Sequence, residues 1–293
     1  MNRNIYLIST ILCLPLVLSG CKKHTSPNTN ITTNTPAPTL HLSTPDVATP
    51  VPAACQPNVF RGLSPLMPKE LAPYTRIICY DDYAVITSGV SHTGLFSMEH
   101  LTPEKFAGHE HIPRRDRFHP DPHLPPGWSA SIKDYVRSGY DKGHLSPSGD
   151  MTTPESQEES FSLANMAPQD PHLNRGLWAN IEAGVKRTGE QQPLYVVTGT
   201  AYTSPANQQL TIGTNHVFVP TYYWKAVLSE DGKIHGIYMA ENTLHGTGRW
   251  MMGSLKQGEE YMHAIPFPNL PPNIINAPPN LPSPINIDEE HRR

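Results

Sequence analysis

Hydrophobic and polar positions divide the chain into a middle that can fold and two ends that cannot. The first residues carry one positive charge at Arg3, an apolar run from Ile5 to Leu18, and small residues at Ser19 and Gly20. A run of that length is too short for a stable membrane span and predicts a secretory leader over residues 1–20. From 21 to 58 the sequence is Thr, Ser, Asn and Pro with few large apolar side chains. It buries too little surface to offset its ordering entropy and predicts a flexible tether. Residues 269–293 are again rich in Pro and Asn and predict an irregular or disordered tail.

The stretch from 59 to 268 predicts a folded domain. "RIICYDDYAVIT" (76–87), "PLYVVTGTAY" (193–202), "TYYWKAVLS" (221–229) and "KIHGIYMA" (233–240) are β-branched and aromatic, bounded by turn residues, and predict strands. "SEDGK" (229–233) between the last two predicts an antiparallel hairpin. A helix is expected to start at Asn174 as N-cap, with Leu177, Trp178, Ile181 and Val185 on its apolar stripe. A shorter helix is expected over 154–165. No fixed-period repeat occurs, and strands in hairpins mixed with helices predict an α+β fold.

Composition sharpens this picture in two places. The chain has 22 basic and 26 acidic side chains, net −4, and loss of residues 1–20 removes only Arg3. A general nucleic-acid coat is unlike this balance, but a metal-assisted nucleic-acid enzyme needs only a few local cations. Of four cysteines, Cys13 lies in the leader, and "LSGC" (18–21) resembles the bacterial lipobox, which makes Cys21 the lipidated first residue. Cys55 and Cys79 then remain as an even pair in an oxidising compartment and are expected to form a disulfide. By resemblance to lipoprotein sorting, Lys22 favours the outer membrane, so the expected location is the cell envelope, lipid-anchored.

The candidate chemistry starts at "DKGH" (141–144), where Gly143 permits a close backbone approach that aims His144 into a cleft beside Asp141 and Lys142. Downstream, "NMAPQ" (165–169) and "NRGLWANIE" (174–182) add Asn165, Asn174 and Glu182. Asn174, Trp178 and Glu182 stand at i, i+4 and i+8, on one helical stripe, and the amide and carboxylate are oxygen donors that suit Mg²⁺. Taken singly, Asn174 reads equally well as a cap and Glu182 as a solvated side chain. The loop "GHEHIPRRDRFHPDPH" (108–123) holds His109, His111, His119 and His123, without helical ligand spacing, and reads as a polar, partly basic loop. Trp178 reads as core packing rather than a base-stacking platform. The glycine-rich nucleotide-cofactor fingerprints are missing from the sequence.

Together these three motifs, in this order, resemble the DNA/RNA non-specific endonucleases, with looser similarity from Arg61 to Leu270. The resemblance implies a ββα-metal (His-Me finger) nuclease fold with a central, mainly antiparallel sheet flanked by helices. It implies a Mg²⁺-dependent endonuclease, with Mn²⁺ or another divalent cation as substitutes, that cuts DNA and RNA and leaves 5′-phosphates. His144 would be the general base, Asn174 the direct metal ligand, Glu182 a holder of water on the metal, and Asn165 a residue orienting the site. Asp141 would help build the turn around them. Family members often dimerise, and an inhibitor protein is a further candidate partner.

Two departures from the family pattern matter. Lys142 stands where the family usually has Arg, keeping the charge but losing the bidentate fork. The family's upstream arginine has three candidates, Arg114, Arg115 and Arg117, with Arg114 preferred. Two other readings are a surface lipoprotein that binds nucleic acid or a partner on a catalytically weakened nuclease fold, and a phosphodiesterase for small phosphoesters.

Overall fold

The computed structural model describes residues 50–107, 112–204, 208–246 and 248–285. The leader, Cys21 and most of the tether lie outside the described residues, as do His109, His111 and the chain from 286 onward. Eleven strands are described: β1 (Thr75–Cys79), β2 (Tyr83–Ser88), β3 (Thr93–Leu101), β4 (Asp141–His144), β5 (Met166–Gln169), β6 (Leu194–Ala201), β7 (Thr211–Ile212), β8 (Val217–Phe218), β9 (Tyr222–Ser229), β10 (His235–Glu241) and β11 (Trp250–Gly253). Seven of them form one sheet in the order β1-β2-β3-β6-β9-β10-β11, every neighbouring pair antiparallel, while β4-β5 and β7-β8 are separate ribbons. Six helices accompany them: α1 (Pro103–Phe106), α2 (Ile132–Tyr135), α3 (Pro154–Ser160), α4 (Ala179–Gly189), α5 (Leu255–Met262) and α6 (Pro272–Ile275). The fold is α+β, as the sequence pattern predicts.

The sheet is buried on both faces, and this explains why its strands read as apolar runs rather than clean alternations. Along β9, Trp224, Ala226 and Leu228 join one core with Phe96, Ile237, Leu255 and Phe267. Tyr223 and Val227 point the other way, into a second core with Leu145, Trp178, Ile181 and Val185. The helix α4 packs there because its buried residues Ile181, Gly184, Val185 and Gly189 fall on one stripe. The second core is therefore the floor on which β4-β5 and α4 are laid.

Several local expectations are corrected. "RIICYDDYAVIT" is not one strand: the Tyr80 N–H donates to the Tyr83 carbonyl at 2.9 Å, closing a hairpin whose centre is two aspartates, which are turn residues. The helix expected over 154–165 stops at Ser160 and gives way to the single 3₁₀ turn Leu163–Asn165. The packed body starts inside the stretch assigned to the tether. Val51 and Cys55 are buried in the first core, Cys55 is bridged to Cys79, and the buried Asn58 side chain bonds the carbonyl of Asp81 and the Lys105 ammonium. A bridge across a separation of 24 residues stabilises by about 3 kcal/mol in the chain-entropy account.

The expected tail is likewise ordered as far as residue 285. Asn280 and His235 exchange both backbone hydrogen bonds, the Tyr238 hydroxyl donates to the Pro282 carbonyl, and the Ile285 N–H donates to the Asn180 carbonyl at 2.8 Å. These contacts strap the tail over α4, against Gly184. Proline-rich composition removes backbone donors and blocks regular elements, yet it does not prevent docking through the carbonyls and the N–H groups that remain.

Candidate active site

Gly143 decides where β4 can lie. A Cβ there would stand 2.3 Å from Gln169 Oε1 and 2.9 Å from the Tyr223 hydroxyl, so only glycine lets the ribbon rest on the sheet. Strand alternation then sends Lys142 and His144 to the opposite side, toward Phe118. The His144 ring lies 5.1 Å from Phe161 and 5.9 Å from Phe118, centre to centre, and is 8% exposed. Burial, followed by the positive charge of Arg114, pushes its pKa down to about 3, with Asp116 opposing and Lys142 adding a smaller push downward. The imidazole is therefore neutral, and its Nε2 is buried without a protein partner.

Asn165 fixes the chain immediately after the imidazole. Its Oδ1 accepts from the Ser146 N–H at 3.0 Å, and its Nδ2 donates to the carbonyls of Ser146 and Ser160, both at 2.9 Å. The side chain is fully buried and spends three hydrogen bonds on backbone alone. It holds position rather than lining the cleft.

The helix start differs from the expectation. Asn174 is not the cap: Asp170 Oδ1 accepts from the N–H groups of His172 and Leu173, both at 3.0 Å. A π turn, Leu173–Trp178, precedes α4, with Gly176 departing from helical torsions. Trp178 points into the core, 5.6 Å from the Tyr223 ring, while Asn174 and Glu182 line the cleft. The Asn174 Nδ2 donates to Asp141 Oδ2 at 2.9 Å. A carboxylate only accepts, so this bond commits the amide nitrogen and leaves Oδ1 as the acceptor for the cleft. Asp141 also takes a fork from Arg175, with Nε at 2.8 Å and Nη2 at 2.6 Å. Burial pushes the Asp141 carboxyl up, but the bonds from Arg175 and Asn174 outweigh it and hold it below the usual range.

The resulting cleft has a volume of about 660 Å³ and gathers Arg114, Asp141, Lys142, His144, Asn174 and Glu182. Of the three candidate arginines, Arg114 lines it, with Nε 2.6 Å from Asp116, whereas Arg117 pairs with Glu158 at 3.7 Å. The Lys142 ammonium rests 4.5 Å from the Phe118 ring centre and 5.5 Å from that of Tyr135. Burial raises the Glu182 carboxyl to about 7, with Lys225 pulling it back.

Four charged side chains of the lining stand outside the site residues identified from sequence: Asp116, Asp150, Arg175 and Lys186. Burial raises the Asp150 carboxyl to about 6. Lys186, which donates to the Gly149 carbonyl, sits one turn after Glu182, so helical spacing could have found it. Arg175 stands directly after Asn174 in an already suspect motif.

The donors here are an amide oxygen and separated carboxylates. Among the described residues no group of three His, Cys, Asp or Glu side chains converges as a cage. Such a set fits a hard divalent cation that keeps most of its waters, which Asn174 Oδ1 would ligate directly and Glu182 and Asp150 would hold through water.

Comparison with known proteins agrees with this geometry. The human mitochondrial nuclease EXOG is 29% identical over 170 residues, 55% of this chain and 46% of its own. Mitochondrial endonuclease G of Caenorhabditis elegans is 27% identical over 214 residues, 69% and 70% of the two chains. Its human counterpart is 32% identical over 178 residues, 58% and 56%. The chain thus spans about half of the length of most of these relatives. A crystal structure of an EndoG/EndoGI complex superposes with a TM-score of 0.63 at 25% identity, covering 78% of this chain and 96% of that one. Residues 66–261, which take in every side chain named at the cleft, match the profile of one family. The chain belongs to the DNA/RNA non-specific endonucleases.

Proposed function

We propose that the protein is a Mg²⁺-dependent, sugar-non-specific endonuclease that hydrolyses phosphodiester bonds of DNA and RNA, with Mn²⁺ or another divalent cation able to substitute. The observation that carries the reading is a buried, neutral His144 facing the same cleft as an Asn174 amide whose oxygen Asp141 turns outward. The family membership supports it. His144 takes a proton from the attacking water, whose oxygen bonds phosphorus as the bond to the 3′ oxygen breaks. Asn165 keeps the imidazole's strand in place through the Ser146 backbone. Lys142 and Arg114 bring positive charge to the phosphate. A bound divalent cation supplies Lewis-acid stabilisation of charge on the phosphate and the departing oxygen. The products carry 5′-phosphates.

Location belongs to the same proposal: lipidation at Cys21 would tether the enzyme at the cell envelope, with the outer membrane favoured. The Cys55–Cys79 bridge supports export, since such bonds persist in oxidising compartments. A homodimer and a protein inhibitor are further proposed partners, the latter by analogy with the EndoG/EndoGI complex.

The test is cleavage of supercoiled plasmid and of RNA by the purified full-length chain with Mg²⁺, with EDTA, and with His144→Ala. Cutting of both polymers, lost with EDTA and with the substitution, is the expected result. Folded wild-type protein that cuts neither polymer across several divalent metals would overturn the reading.

A further inference from the structure

We propose that Arg175 is a strand-holding residue that grips a phosphate of the nucleic acid beside the bond being cut. This deepens the endonuclease reading and rests on it. Arg175 follows the candidate metal ligand Asn174 in the π turn, lines the cleft, and is 73% exposed. Its partner Asp141 is only 18% exposed, so the guanidinium is the more accessible end of the pair.

The guanidinium has five N–H donors, and Asp141 engages two of them, on Nε and Nη2. Three N–H groups remain on a fork whose orientation the carboxylate has already fixed. A planar guanidinium held this way matches two phosphate oxygens at once and loses little entropy on binding. Asp141 orients the fork and is itself held in place, its oxygens taken by Arg175 and by the Asn174 amide.

The other cations of the cleft are differently placed. Arg114 turns its Nε onto Asp116, Lys186 is bound to the Gly149 carbonyl, and Lys142 lies against the rings of Phe118 and Tyr135. Lys142 is a compact point charge with no fork to offer. Arg175, whose carboxylate partner Asp141 directly precedes Lys142 in the chain, supplies the bidentate contact that a lysine cannot make.

The experiment measures binding of a short fluorescent DNA duplex to the full-length His144→Ala protein as salt is varied. It is repeated with Arg175→Gln, Arg175→Lys and Arg249→Gln added. Arg249 is a matched control, an exposed arginine paired with Glu241 at 2.8 Å outside the cleft lining. Each phosphate contact contributes about one to the slope of log affinity against log salt. Arg175→Gln is expected to reduce that slope by about one, while Arg175→Lys and Arg249→Gln leave it unchanged. A purely structural role for Arg175 would lower the melting temperature or the cutting rate and leave the slope alone. An unchanged slope in Arg175→Gln, with the parent binding normally, overturns the proposal. A folded parent with no salt-dependent binding brings down the endonuclease reading, and this proposal with it.

Discussion

His144 sits where two opposite demands meet, a buried wall of phenylalanines and a cleft that must reach water. Because burial takes its pKa down to about 3, the imidazole stays able to accept a proton far below the pH at which free histidine charges. The acid limb of the cleavage rate should therefore not follow a group titrating near ~6.5, which a pH–rate profile will check. The stability consequence has a definite sign. Below about pH 6.5 the unfolded chain takes up a proton that the folded chain refuses until about pH 3, so stability is lost as pH falls through that window. Denaturant melts of His144→Gln against wild type should shift in the variant's favour by up to about 1.4 kcal/mol per pH unit there. Asn165 is the complementary case, a buried residue that does not line the cleft. Asn165→Ala strands three buried backbone groups and is expected to cost about 2–4 kcal/mol, read as a lower urea midpoint, with slower cutting to match.

At the scale of elements, what the sequence reveals is what local chemistry dictates. The β9-β10 hairpin, the strand β6 and the apolar stripe of α4 follow from residue type and spacing, because burial on the sheet rewards the same residues that propensity favours. The candidate site motif is legible for a similar reason: Gly143 and His144 are adjacent, and their opposite placements follow from one strand's alternation. The failures are tertiary. Asp170 caps the helix from four residues before Asn174, so Asn174 is released for the cleft, and the π turn that re-aims it has no mark in composition. Nor can composition show that the proline-rich tail docks, since its contacts are backbone groups meeting partners far away in the chain. Gly184 is where that docking is tested. A Cβ there would stand 2.4 Å from the Ser283 carbonyl oxygen, a backbone atom with little room to give. Gly184→Ala is expected to free residues 281–285 for limited proteolysis and to lower the melting temperature by about 2–4 °C. An unchanged digestion pattern would mean that the strap holds by other contacts.

On the scale of the molecule, a chain of net charge −4 brings Arg114, Lys142, Arg175 and Lys186 to a single cleft. Four carboxylates, Asp116, Asp141, Asp150 and Glu182, line the same cleft, so its cations act as positioned single groups beside acids suited to a divalent cation rather than as a broad basic patch. The sheet supports this arrangement from below, through Tyr223 under Gly143 and Lys225 near Glu182. β3 and β6 are hydrogen-bonded neighbours, paired from Phe96 with Gly199 to Leu101 with Leu194, and the chain between them carries β4, β5, the π turn and α4. The working parts are thus an excursion that leaves the ladder and returns to the adjoining rung. A lineage of such proteins can lengthen, trim or rewrite the exposed parts of that excursion while the rungs stay paired, provided the side chains that cover the sheet, Leu145, Trp178, Ile181 and Val185, are kept.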